Sequence, residues 1–320
     1  MKKFLLFLLV LSQQVLSASP FSIVFVHIGN ELPTYIGDAL DQARLFNKDA
    51  SILLIANRTA LEKIEGRGLE EKLILVEIEK LSPTKDHLVF KQTSTLSDKP
   101  QDGYLRYATE RFFYIHELML QYELTNVFQL ETDNMLYADL EELLPIFVEN
   151  YKGMGAVFDC PSRCIPSFVY FADASAAQSL THFLTVLAKT GKNDMQLLAS
   201  YKNRYGAETV DALPIISQEY LTDHPHSDHS LSYSRHLELF QSVFDGAALG
   251  QYLGGTNAKN NTSGPGFINE TCIFNPSLLA HKWELDDRGR KVPFIVYRDK
   301  QYRVNNLHIH SKNLKTFSSK

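Results

Sequence analysis

Two short tracts, far apart in the chain, carry the residue types that hard cations and phosphates require. The first is Glu131-Thr-Asp-Asn134, two carboxylates two positions apart with an amide beside them. A divalent cation of the Mg2+ or Mn2+ kind takes oxygen ligands, commonly one or two carboxylates plus phosphate oxygens. The second tract is Asn305-Asn-Leu-His-Ile-His-Ser-Lys312. Strand alternation places His308 and His310 on one face, with Leu307 and Ile309 on the other. A neutral imidazole can join a metal shell, and the Lys312 ammonium, next to Ser311, can hold a diphosphate as a point charge. The spacing leaves both histidines open as ligands; His310, nearer Lys312, is the first choice. A third tract, Asp223-His-Pro-His-Ser-Asp-His229, is read as a solvated loop broken by Pro225, with a zinc site as the alternative.

The elements around these tracts must bring them together. Phe21 to Ile28 is an apolar, β-branched run that predicts a buried strand, and Ser51 to Ala56 a second. Ile36, Ala39, Leu40, Ala43 and Phe46 fall at helical spacing between them. Leu61 to Leu69 is predicted as a short helix, Lys72 to Ile78 as a third strand, and residues 81–104 as a long polar loop. Ala108, Phe112, Ile115 and Met119 mark a helix, and Thr125 to Leu130 is a short strand running straight into the acidic turn. Further strands are predicted at Gly155 to Phe158, Phe168 to Phe171 and Val304 to His310. Helices are predicted at Ala174 to Ala188 and Asp194 to Tyr205, and a hairpin around Arg298-Asp299-Lys300. Alternating strands and helices predict a mostly parallel sheet covered on both faces, which binds ligands outside the carboxyl ends of its strands. Phe244 to Gly255 reads as a helical stretch stopped by Gly254-Gly255; Asp245 stands at its start, where a capping role and a functional one weigh equally.

The 320 residues are 44% hydrophobic and 22% charged, ordinary for a packed domain. The formal charge of −5 argues against a nucleic-acid backbone as partner. Lys2-Lys3, the apolar run Phe4 to Leu11 and the small residues near Ser17 read as a signal peptide over residues 1–18, with a retained membrane anchor as the alternative. Residues 19–320 are expected to form one domain, 19–140 being a nucleotide-binding half and 141–320 an acceptor half with the C-terminal metal and diphosphate segment. Three cysteines, Cys160, Cys164 and Cys272, cannot all pair within the chain, so no disulfide scaffold is expected.

A helix with Arg111-Phe112, an apolar strand, Glu131-Thr-Asp-Asn134 and then Met135-Leu-Tyr-Ala-Asp-Leu140 together resemble the DxD-type, nucleotide-sugar-dependent glycosyltransferases of the GT-A fold. The C-terminal His308-Ile-His-Ser-Lys312 resembles the segment in which such enzymes complete the metal site and contact the diphosphate. The departure is Glu131 where the first acid is usually Asp, so direct metal contact is assigned first to Asp133. The resemblance implies a Rossmann-like α/β fold and transfer of a sugar from a nucleotide diphosphate donor, UDP-sugar foremost, to a hydroxyl of a glycan, lipid or protein. It implies Mn2+ or Mg2+ on Glu131 and Asp133 with His310 or His308, and donor contacts from Arg111, Lys312, Ser311 and Asn134. Asp245 and Asp194 would face sugar and acceptor, with Gln251 a weaker candidate beside Asp245. The competing readings are a secreted metal-dependent hydrolase using residues 223–229 and a silent sugar- or nucleotide-binding module on the same fold.

Overall fold

The computed structural model describes residues 19–64, 73–97, 104–225, 231–258 and 261–320. The segment 1–18 and residues 226–229 of the His/Asp tract lie outside the described residues. Fifteen strands and ten α-helices follow in order among the described residues. The strands are β1 (Ser22–His27), β2 (Ser51–Ala56), β3 (Ile74–Glu77), β4 (Val127–Leu130), β5 (Asn134–Leu136), β6 (Met154–Cys160), β7 (Arg163–Phe171), β8 (Val210–Ala212), β9 (Ser242–Val243), β10 (Thr256–Ala258), β11 (Asn261–Ser263), β12 (Ala280–Leu285), β13 (Lys291–Tyr297), β14 (Lys300–Val304) and β15 (Asn306–His308). The helices are α1 (Ile36–Phe46), α2 (Arg58–Leu61), α3 (Lys85–Thr93), α4 (Tyr104–Tyr122), α5 (Leu140–Asn150), α6 (Ala174–Val186), α7 (Asp194–Tyr205), α8 (Gln218–Asp223), α9 (Leu237–Phe240) and α10 (Ala248–Gly254).

The fold is the mixed α/β class expected: a seven-stranded, mostly parallel sheet in the order β3-β2-β1-β4-β7-β6-β8, flanked by helices. β1 and β2 run parallel from Ser22↔Ser51 to His27↔Ala56, and β2 pairs parallel with β3. All six residues of β2 are buried, as an unalternating Ser-Ile-Leu-Leu-Ile-Ala run requires of a strand covered on both faces. A two-residue link between neighbours makes β6 and β7 a hairpin. A second sheet, β12-β13-β14-β9, and the short pair β15-β5 occupy the C-terminal part.

The chain divides into two compact units, one made of the described residues of Met1–Leu32 with Lys48–Gln129 and Tyr170–Asn193, the other of Pro33–Asn47, Leu130–Val169 and Asp194–Lys320. In the first, the expected polar loop over 81–104 is corrected: Lys85–Thr93 is a helix. Thr84 caps it by accepting from the His87 amide, and only His87 and Phe90 bury fully on its inner face. The core contact is made by an imidazole, which hydrophobic periodicity does not count. His87 is sandwiched between Glu117 (2.7 Å) and Glu110 (3.0 Å) of α4, and its ring stacks on Phe113 at 4.9 Å. The expected helix at 61–69 is found as Arg58–Leu61, with residues 65–69 outside the described set.

In the second unit the C-terminus is tied down at several points. Tyr137 donates its hydroxyl to the Phe317 carbonyl (2.7 Å), and Gln42 donates to Ser319 Oγ (2.7 Å). The three cysteines are free thiols. The helix stop foreseen at Gly254-Gly255 is present: Gly255 sits at φ +78°, where a Cβ would lie 2.2 Å from the Ser263 carbonyl oxygen. The expected last strand, Val304 to His310, is shorter, ending at His308, because pairing with β5 stops there.

Candidate metal centre

The site lies within the second unit and begins with a tight turn. Leaving β4, Glu131 donates its amide to the Ser167 carbonyl (3.0 Å), and Asn134 closes the turn by donating to the Glu131 carbonyl (3.0 Å). Both acids therefore sit at the carboxyl end of a buried strand on a four-residue turn. β15 then pairs antiparallel with β5, setting His308 opposite Asn134, Leu307 opposite Met135 and Asn306 opposite Leu136. The Ile309 amide reaches back to the Asp133 carbonyl (2.9 Å). Backbone register alone thus brings the two distant tracts together.

The result is a cluster of Glu131, Asp133 and His308, whose ligand atoms all lie within 4.8 Å of one another. His308 Nε2 is 2.9 Å from Glu131 Oε2 and 3.2 Å from Asp133 Oδ2. On its other side, His308 Nδ1 lies 2.6 Å from the Gly246 carbonyl. A carbonyl only accepts, so Nδ1 carries a proton and Nε2 is the nitrogen turned to the carboxylates. This is the orientation in which metal-ligating histidines are held. Lys312 completes the group through an ion pair with Asp133. It adopts φ +63°, in the left-handed region, and its ammonium stands 5.7 Å from the Tyr35 ring.

Charge balance inside the cluster is tight. Burial works against the His308 imidazolium, yet Asp133 and Glu131 overcome it and hold its pKa up at about 10. Burial likewise works against an ionised Asp133, but His308 and Lys312 hold it well below the usual carboxylate range. His310 is different. Burial and the neighbouring His308 charge push it down to about 3, so it stays neutral. Its Nδ1 is 2.8 Å from the Gln251 side-chain amide, and its ring lies 4.3 Å from that of His308. Of the two histidines, His308 is the one facing both acids, and His310 stands behind it.

Two further expected site residues, Asp245 and Asn134, are bonded within the fold. Asp245 is fully buried, and its carboxylate accepts from three backbone amides: Leu249 (3.0 Å), Gly250 (2.9 Å) and His308 (3.0 Å). Burial raises its pKa to about 6 against those bonds. The carboxylate thus caps α10 and ties that helix to β15, the capping role that weighed equally with a functional one in the sequence. Asn134, expected among the donor contacts, is engaged within the fold, donating to the Ser167 carbonyl (2.7 Å) and accepting from Asn306 (3.1 Å). Asp194 is buried at the first position of α7. Arg111 belongs to the first unit, buried on α4 with its guanidinium 5.1 Å from the Phe112 ring. Ser311 Oγ and Gln251 Oε1 are buried atoms without a hydrogen-bond partner among the described residues, beside Lys312 and His310 respectively.

The sequence reading missed Asn306, Ser167 and Gly250. Asn306 donates to the Asp245 carbonyl (2.8 Å) and accepts from the Asp245 amide (3.2 Å), while Ser167 Oγ donates to the same carbonyl (2.9 Å). Gly250 matters by what it lacks: a Cβ there would lie 2.0 Å from the His308 carbonyl oxygen. A glycine in the middle of an otherwise helical stretch was the available signal. Of the 223–229 tract, Asp223 is paired with Arg298 (2.5 Å) and Tyr297 (2.7 Å), and His224 contacts the same tyrosine (3.1 Å).

No protein-family model matches the chain, and no curated protein matches it. Solved structures with a similar course of chain include mouse xyloside xylosyltransferase 1 in its apo form, at 12% identity and a TM-score of 0.40, over 67% of this chain and 93% of that one. The galactosyltransferase LgtC, in complex with donor and acceptor sugar analogs, matches at 10% identity and a TM-score of 0.41, over 67% and 83%. A cytidylyltransferase from Leptospira borgpetersenii matches at 11% and 0.37, over 68% and 80%. Likenesses of this degree leave the chemistry to be argued from the chain's own side chains.

Proposed function

We propose that this chain is a metal-dependent glycosyltransferase of the GT-A type, moving a sugar from a nucleotide diphosphate donor, UDP-sugar foremost, to a hydroxyl acceptor. The observation that carries the reading is the meeting of Glu131, Asp133 and His308 with Lys312 beside them. The donor set fits a hard divalent cation: two carboxylates and one imidazole whose outer nitrogen is held by a backbone carbonyl. Glu131, Asp133 and His308 would hold Mn2+ or Mg2+, and the cation when bound would offset the negative charge of the departing diphosphate.

The rest is supplied by the chain. Transfer breaks the bond between the sugar's anomeric carbon and the diphosphate and forms one to the acceptor oxygen, whose proton is lost. Negative charge therefore grows on the diphosphate, and fixed positive charge at that place is usually the largest catalytic contribution. Lys312 supplies it, held by its own backbone conformation at the mouth of the acidic turn. Ser311 Oγ, buried without a partner beside it, is the neighbouring hydroxyl for a phosphate oxygen. Gln251 Oε1, also without a partner, is an acceptor for a sugar hydroxyl. Arg111 is assigned to the nucleotide and Asp194 to the acceptor side, on the resemblance alone. Residues 1–18 are assigned as an export signal or anchor on sequence.

The test is a donor screen on purified residues 19–320, with released nucleotide measured across a panel of nucleotide sugars, with Mn2+ and with EDTA. One or more donors should turn over with Mn2+ and none with EDTA. Full activity after exhaustive chelation would sink the metal assignment, and absence of turnover and of nucleotide binding across the panel would sink the transferase reading.

A further inference from the structure

The two ends of β14 lead to different surroundings. Its carboxyl end, Arg303–Val304, pairs in parallel with β9 and runs on to Asn306 and His308 at the metal cluster. Its amino end, Lys300 to Tyr302, lines a cavity of about 360 Å3 with Glu219 of α8, Glu238 of α9 and Gln241 just after α9. A second cavity of about 270 Å3 shares Gln218 and Glu219 with the first. Tyr302 and His308 are six positions apart, up to roughly 20 Å of extended chain. The cavity belongs to the opposite end of the strand from the acids.

Its wall has a particular chemistry. Gln241 donates one amide hydrogen to the Glu238 carbonyl (2.5 Å), and Gln301 one to the Glu284 carboxylate (2.9 Å), which leaves each with its Oε1 as an acceptor and a second N–H as a donor. Lys300 is neutralised by an ion pair with Glu219, and among the described residues Glu238 has no ion-pair partner. The wall is thus rich in acceptors and carries one uncompensated negative charge. A phosphate or nucleotide would be repelled by it. Leu237 and Tyr302 are the apolar residues of the lining, which is mixed rather than wholly polar. What such a wall satisfies is a neutral molecule dense in hydroxyl donors, since planar amides and carboxylates each accept from neighbouring hydroxyls. The volume is that of a small-ligand site. Backbone at φ +59° (His236) and +50° (Gln241) brackets α9 and fixes the position of Glu238 between them.

We propose that this groove is a carbohydrate-binding site for a short neutral oligosaccharide, separate from the metal cluster. It stands whether or not the transferase reading does, since binding alone tests it. Its lining side chains Glu238, Gln241 and Gln301 are exposed, so their replacement leaves the core untouched.

The experiment is saturation-transfer NMR and calorimetry on the full chain against neutral gluco-, galacto-, xylo- and chito-oligosaccharides at millimolar concentration. Wild type is compared with Glu238→Ala, Gln301→Ala, their double variant and Asp133→Ala, each checked for an unchanged melting profile. At least one oligosaccharide should bind, with affinity indifferent to added salt. The double variant should bind about tenfold or more weakly, a loss of about 1.4 kcal/mol, and Asp133→Ala should bind like wild type. Absence of binding by every member overturns the proposal. So does binding lost in Asp133→Ala but kept in the double variant, which would place the sugar at the metal cluster. Salt-sensitive capture of a lysine-rich peptide with no saccharide binding would make the groove a cation site and overturn it equally.

Discussion

At the scale of single residues, some side chains are assigned to the cation and others to the diphosphate. Lys312→Ala should leave Mn2+ affinity close to wild type while weakening donor binding and slowing turnover. A charge-assisted bond to phosphate contributes about 1.5–3 kcal/mol, so a tenfold to hundredfold loss in kcat/KM is expected; an equal fall in Mn2+ affinity would show the lysine acting on the metal site instead. The acidic turn and the His/Lys tract were both legible in the sequence, because their residue types and spacing are local. The choice between His308 and His310 was not. Alternation puts both on one face, and only the β15–β5 register, with Nδ1 of His308 held by the Gly246 carbonyl, turns one of them to the acids. His308→Ala should therefore cost far more Mn2+ affinity than His310→Ala in a direct titration. The reverse order would mean that the cation sits on the outer histidine.

At the scale of elements, the metal cluster depends on how closely α10 approaches β15. Gly250→Ala would force a Cβ to within 2.0 Å of the His308 carbonyl oxygen, so helix and strand must separate. Overpacking of this kind costs about 1–3 kcal/mol, and the lower melting temperature should come with weaker Mn2+ binding. A variant with unchanged melting and metal affinity would show that the contact is not needed. Asp245→Asn should also lower stability, by about 1–3 kcal/mol, since three amides then share one carboxamide oxygen. Near-normal turnover per folded molecule would separate this capping role from catalysis. Such a role could be raised from the sequence but not decided, because caps and catalytic acids look alike at a helix start. The helix α3 was illegible for a related reason. Its inward residue is His87, whose burial is made possible by Glu110 and Glu117 on α4, twenty or more positions away. Burial works against charge on His87, but the hydrogen bonds it donates to Glu110 and Glu117 raise its pKa above the ordinary 6.5. A raised histidine contributes stability that is complete below about pH 6.5 and fades as pH rises through the folded value. In urea titrations, the difference between wild type and His87→Gln should shrink as pH climbs from 6.5; a difference constant with pH would mean that His87 is held neutral.

At the scale of the molecule, the order of strands and helices predicted the α/β sheet, and the buried runs Phe21 to Ile28 and Ser51 to Ala56 became β1 and β2 nearly as read. What the sequence could not display is that residues 33–47 join the C-terminal unit. That membership is fixed by tertiary bonds such as Asn47 to the Ala138 carbonyl (3.0 Å) and Gln42 to Ser319, across separations no local pattern records. The same long reach makes a shared cation testable, since neither tract alone explains one. The most direct measurement is Mn2+ binding followed by electron paramagnetic resonance, with and without UDP, in wild type, Asp133→Ala, His308→Ala and the double variant. One Mn2+ should bind per chain and tighten with UDP. Each single change should weaken binding by at least about tenfold, and the double variant should lose less than the sum of the two, as ligands of one ion do. Strictly additive losses, or Mn2+ binding indifferent to His308, would contradict a single centre built from the acidic turn and the C-terminal strand.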